Sequence, residues 1–139
     1  MSAETKSEYL LLFRGTNWHR DLSAEEIEKV MNQWKSWFDG LCEKGTAKAG
    51  HPLMNEGKVV SGKKGRVVAD GPFAESKEAI GGYFFLEVRN LDEAVAIAKD
   101  CPGLDYGAIV EVRPVAPECP LKQSAKQTRA EPQLAHAGA

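Results

Sequence analysis

The stretch GGYFFLEV, residues 81–88, restricts the possible folds of this chain more than any other. Along an extended strand successive side chains alternate between faces, so Tyr83 and Phe85 point one way while Phe84, Leu86 and Val88 point the other. Both sets are apolar, and a strand of that kind must be covered on both faces. An exposed hairpin cannot meet that demand, whereas a central strand in a layered sheet can. The run YLLLFR, residues 9–14, has the same character and predicts a second buried strand.

Between these strands the sequence SAEE opens a helix. Ser23 can cap the amide of Glu26 while the Glu26 carboxylate reaches back, the reciprocal arrangement of a capping box. From there Ile27, Val30, Met31, Trp34, Phe38 and Leu41 recur at spacings of three and four, which predicts one apolar stripe packed on a sheet. Gly45 suits a left-handed stop. AKAGHPLM then reads as a short extended piece, and KVV and RVVA flanking SGKKG read as a hairpin whose second strand ends at Asp70. The charged loop DGPFAESKE leads into the central strand. After it, Leu91, Ala94, Val95 and Ala98 mark a second helix, capped by Asn90 and Glu93 and ended by Pro102 and Gly103. YGAIVEVRPV supplies a last strand that stops at Pro114.

The order strand, long helix, hairpin strands, strand, short helix, strand defines an α+β fold, a ferredoxin-like split βαβ with an antiparallel sheet and both helices on one face. The face without helices is also apolar, and a large apolar patch of that kind marks an interface. The expectation is a homodimer with two sheets face to face. Residues 1–8 read as an N-terminal extension and 9–115 as one domain. Residues 116–139, with three prolines and no sustained apolar period, read as a disordered or extended tail.

Composition narrows the function classes. At 139 residues one core suffices, and a net charge of -2 argues against a general nucleic-acid binder, which carries a basic excess. Three cysteines without CxxC spacing read as free thiols in a reducing compartment, and no stretch reaches the length and apolarity of a membrane span. The expectation is a cytoplasmic protein with no direct nucleic-acid or membrane partner.

Asp70 precedes the Gly71-Pro72 step, where it serves either as a structural turn residue or as a carboxylate at the mouth of a cleft, acting as general base or ligand anchor. His51 lies in the extended piece and could point into an intersheet cavity, and His19, beside Trp18, could rim the same space. Trp37, at the edge of the helical stripe, together with Phe73 and Tyr83, would supply apolar walls for a ligand. Glu75 and Glu78 read as a solvated turn, and His136 lies in the tail. No two histidines fall at metal-ligand spacing, and pairing His51 with Asp70 would leave a metal short of ligands, so neither metal nor cofactor is expected.

The string DGPFAESKEAIGGYFFLEV, preceded by YLLLF and followed by LDEAVAIAKDCP and AIVEVRPV, closely resembles the DGPF-domain branch of the YCII-related family over residues 8–115. The resemblance implies a ferredoxin-like fold that dimerises as an α+β barrel, akin to the muconolactone isomerase group. It also implies an association with extracytoplasmic-function sigma factors, and a histidine and aspartate proposed in the family as an acid/base pair. That histidine would fall early on the long helix, where EEIEKVMNQW holds none. Asp100 corresponds to the aspartate, with Cys101 intervening before the proline. The pair is therefore incomplete, and Asp70 and His51 are the substitutes. Two functions follow: a small-molecule-binding protein or acid/base enzyme using a cavity of the dimer, or a non-catalytic regulatory module contacting a sigma factor.

Overall fold

The computed structural model describes residues 5–15, 17–70, 79–119 and 121. The chain runs through β1 (Ser7–Arg14), α1 (Ala24–Glu43), β2 (Ala47–Pro52), β3 (Lys58–Ser61), β4 (Val67–Asp70), β5 (Ile80–Val88), α2 (Leu91–Ala98) and β6 (Ile109–Pro114). Four strands form an antiparallel sheet in the order β2-β5-β1-β6, with the two strands rich in apolar residues at its centre. This is the ferredoxin-like α+β arrangement.

Local chemistry sets the helix ends. Ser23 Oγ accepts from the Glu26 amide at 3.1 Å and Glu26 Oε1 accepts from the Ser23 amide at 2.9 Å, so both halves of the capping box are made. The carboxyl of Glu26 is held below its usual range by the hydrogen bond from the Ser23 amide. Gly45, at φ +77°, turns the chain out of α1 in the left-handed region that glycine tolerates. At α2 the Asn90 side chain accepts from the Glu93 amide at 2.9 Å, while the Glu93 carboxylate accepts from the Arg89 amide rather than from Asn90.

Tyr9, Leu11 and Phe13 of β1 and Phe84, Leu86 and Val88 of β5 are buried on the helix side. They form the core with Leu41 of α1, with Ala94 and Ala98 of α2, and with Cys101, flanked by Trp34, Trp37 and Phe38. Cross-strand register places Leu10 and Leu12 opposite Phe85 and Tyr83 on the other face. That face is half-buried in its centre and flanked by ion pairs, Lys48 to Glu87 at 3.2 Å on one side and Arg113 to Glu111 at 3.1 Å on the other.

One expectation is corrected. The hairpin strands do not join the main sheet: among the described residues β3 and β4 pair with each other and form a separate two-stranded ribbon. The extended piece β2 takes the place beside β5 instead. Gly50 makes that possible, since a side chain there would meet the Phe38 and Phe84 rings at 2.7 and 2.8 Å. Every residue of β3 and β4 is exposed, including Val59, Val60, Val67 and Val68.

Candidate functional site

A cavity of about 370 Å³ opens where α1 crosses the end of the sheet. Its walls come from each layer: Phe13 and Arg14 at the end of β1, Trp18 in the following loop, and Met31, Trp34, Lys35 and Phe38 on α1. Gly50, His51 and Pro52 of β2 and the segment Gly81 to Phe84 of β5 complete it. The three-and-four spacing of the α1 stripe brings Met31, Trp34 and Phe38 to the same side of the helix. Volume and lining match a small-ligand site, mostly apolar with a few polar groups.

The rings interlock by edge-to-face contact, the arrangement that ring quadrupoles favour. Phe13 meets Trp34 at 5.1 Å and Phe84 at 4.8 Å, with interplanar angles of 72° and 78°. Trp18 instead stacks on Trp34, with centroids 6.0 Å apart and planes 26° from parallel. Gly103 fixes this wall from behind: a side chain there would meet the Trp34 ring at 2.8 Å. Gly82, the second glycine ahead of the central strand, lets β2 approach β5, because a β-carbon would lie 3.0 Å from the His51 carbonyl oxygen.

A polar cross-strand pair borders this space, its side chains on the sheet face that carries Leu10, Leu12 and Phe85. His51 and Tyr83 face one another in the β2–β5 ladder, and His51 Nδ1 lies 2.8 Å from the Tyr83 hydroxyl. A neutral imidazole accepts the hydroxyl proton, and a protonated one donates to the hydroxyl oxygen. The pair can therefore hold a proton at either atom, which is what acid/base chemistry requires.

The sequence candidates divide accordingly. His51 and Tyr83 are brought together in the lining. Asp70 is not: it ends β4 on the exposed ribbon, where its carboxylate is ion-paired with Lys58, so the structure does not set it beside His51 in the cavity. His19 is an exposed loop residue whose ring meets Trp18 edge-on at 5.3 Å, outside the lining. Trp37 packs on Phe84 at 4.9 Å and on Phe13 at 5.9 Å in the core layer rather than in the cavity wall, and its buried indole N–H has no hydrogen-bond partner among the described residues. Asp100 is exposed just beyond α2 and does not line the cavity. Phe73, with Glu75 and Glu78, lies outside the described residues, as do residues 122–139 of the tail, His136 among them. Among the described residues no three His, Cys, Asp or Glu side chains are grouped to hold a metal ion, and no helix is long and apolar enough to cross a membrane.

Several wall residues escaped sequence reasoning. Trp34 and Phe38 carry the ordinary signature of core residues, and nothing in their spacing says that space is left between them and the sheet. Arg14 offered a signal: a charged residue followed by glycine closes an otherwise apolar strand, which places a cation at the end of the sheet.

A ferredoxin-like α+β domain with an aromatic cavity between its long helix and its sheet is the class of protein these features define. Residues 9–118 match the YCII-related domain, and the chain belongs to that family. A relative in Rhizobium meliloti (strain 1021), an uncharacterised protein, is 41% identical over 51 residues, which cover 36% of this chain and 41% of the relative. The match spans less than half of that relative's length.

Proposed function

We propose that this protein binds a small molecule in the cavity between α1 and the end of the sheet, with the His51–Tyr83 pair at its border as a polar, proton-carrying element. The observation that supports the reading is a space of about 370 Å³ walled mainly by aromatic rings and glycine backbone, with His51 and Tyr83, 2.8 Å apart, among the residues that border it. A histidine is suited to proton transfer near neutral pH, and tyrosine orients it. Asp70, on the exposed ribbon, is a candidate anchor only for a ligand or partner that reaches the ribbon.

Screening a fragment library by ligand-detected NMR, and repeating each hit on His51→Ala and Tyr83→Phe, tests the reading. Hits should weaken about tenfold in at least one variant, the scale of a lost hydrogen bond. A library in which no compound binds, or whose hits ignore both substitutions, would sink it.

The open sheet face supports a second element of the proposal, a homodimer formed sheet to sheet. Leu10, Leu12 and Phe85 there make an apolar centre with charged flanks, the anatomy of an interface. The exposed ribbon favours a further reading, a regulatory contact with another protein such as a sigma factor. Four valines on its two faces are each 47% exposed or more. A pull-down with intact protein and with Val60→Lys/Val68→Lys checks it, since a partner retained equally by both would not be reading the ribbon.

A further inference from the structure

The rings of the cavity wall carry the ligand question one step further. Five of the described lining residues, Trp18, Trp34, Phe13, Phe84 and Phe38, form an unbroken chain of ring contacts. Taken in that order, successive centroids stand 6.0, 5.1, 4.8 and 4.6 Å apart, each within the range of ring–ring attraction. The chain passes through each layer that frames the space: the loop after β1, then α1, β1, β5 and α1 again. Its inner members brace one another, because Phe13 meets both Trp34 and Phe84 edge to face, at 72° and 78°. Burial of Phe13 and Phe84 in the core fixes them further.

A wall of this kind distinguishes ligands by more than the area they bury. A flat aromatic ring lies along ring faces or stands against ring edges with its quadrupole matched to theirs, and gains beyond its buried area. A saturated ring on the same carbon skeleton is puckered and has no quadrupole to match, so it gains from burial alone.

Trp18 has a place of its own in the chain. Of the five rings it is the one carried by a loop, which is tied by turn hydrogen bonds from the Trp18 amide to the Gly15 carbonyl at 3.3 Å and from the Leu22 amide to the His19 carbonyl at 3.1 Å. Its half-buried ring stacks on Trp34 within 26° of parallel and leans on Tyr106 at 6.2 Å. Phe13 and Phe84 cannot be truncated without emptying the core, whereas Trp18 extends the wall and is not a member of the core cluster.

We infer that the cavity selects ligands that carry a flat aromatic ring system, and that Trp18 is the residue that sets this selection. The inference rests on the cavity-binding reading above and adds the shape of the ligand.

Two probes test it, 2-naphthylmethanol and its ring-saturated counterpart decahydro-2-naphthylmethanol. Both are neutral and carry the same primary alcohol on the same skeleton, so neither charge nor hydrogen bonding separates them. Each is titrated into the full chain while the indole N–H resonances of Trp18, Trp34 and Trp37 are followed. Expected are larger shifts at Trp18 and Trp34 than at Trp37, and a naphthyl affinity about fivefold above the decahydro affinity, the scale of a ring–ring contact. In Trp18→Leu, which keeps an apolar side chain and removes the ring, the ratio should fall toward one while the decahydro affinity holds. Trp18→Phe should retain most of the ratio. Partial unfolding would weaken both probes alike and leave the ratio in place, and the wild-type ratio alone decides if Trp18→Leu does not fold. Equal wild-type affinities, or a ratio that Trp18→Leu leaves untouched, overturn the inference and leave the cavity-binding reading standing. Binding that shifts Trp37 as much as Trp18 overturns it by placing the probes away from the ring wall. Absence of binding by both probes up to about 1 mM overturns it as well, and the fragment screen then decides the cavity-binding reading separately.

Discussion

At the scale of single residues, three glycines decide what the cavity can be, and they do so differently. Gly82 faces backbone that cannot yield, so Gly82→Ala should push β2 off β5 and cost about 1–3 kcal/mol, the usual penalty for overpacking, measured by denaturant unfolding. Gly50 faces two rings that can turn. Gly50→Ala should leave a folded protein whose Phe38 and Phe84 rings shift, so probe affinity changes more than stability does. Gly103 is the counterpart at Trp34. None of this was legible in the sequence, because the atoms each glycine faces come from other elements of the fold. Cys101 supplies a chemical prediction. Burial pushes its thiol up to about 11, so alkylation at neutral pH should modify the exposed Cys42 and Cys119 and spare Cys101 until the protein unfolds. The native state keeps Cys101 protonated where the unfolded chain would ionise. Its contribution to stability is therefore present below pH 9.0 and is lost as pH rises toward about 11.

At the scale of elements, α1 was legible almost to its ends because its signals are local: a cap, a period and a terminal glycine. The Glu26 carboxyl in that cap is held below its usual range, so the folded state favours the ionised form. The contribution is present above the ordinary carboxyl pKa and disappears as pH falls through the lowered one. Ser23→Ala should therefore flatten the acid limb of the thermal stability profile, and a variant with an unchanged limb would argue against the cap as its source. Strand β2 was the least legible element. Ala47–Pro52 holds two alanines, a lysine, a glycine, a histidine and a proline, and its role beside β5 depends on rings contributed by α1 and β5. The β3–β4 ribbon misled in the opposite sense. Its valines look like core strands, yet the ribbon closes on itself through the Lys58–Asp70 ion pair and a turn containing Gly62 and Gly65, both at positive φ. The same distinction explains the site: His51 and Tyr83 are neighbours only across the ladder, 32 positions apart in sequence.

At the scale of the whole molecule, the helix-covered face of the sheet is buried within one chain, whereas among the described residues the opposite face is only half-buried at its centre. The proposed sheet-to-sheet dimer should elute with a scattering mass twice the 15.2 kDa of one chain, and Leu12→Lys, on the centre of the open face, should return it to monomer. A wild-type monomer at micromolar concentration would remove that proposal. Association of this kind needs a molecule that meets its partner face to face and resists meeting it edge to edge, and the two outer strands bear on this. The ladder of β2 slips between Ala47 and Ala49, where Lys48 projects toward Glu87, and the strand ends on Pro52. The strand β6 likewise carries Arg113 next to a terminal Pro114. A broken register, charged side chains and missing amide donors deprive an incoming strand of a regular template. Growth by successive strand addition, the route to fibrils, is thus blunted at both borders of the sheet, even where many copies are crowded together.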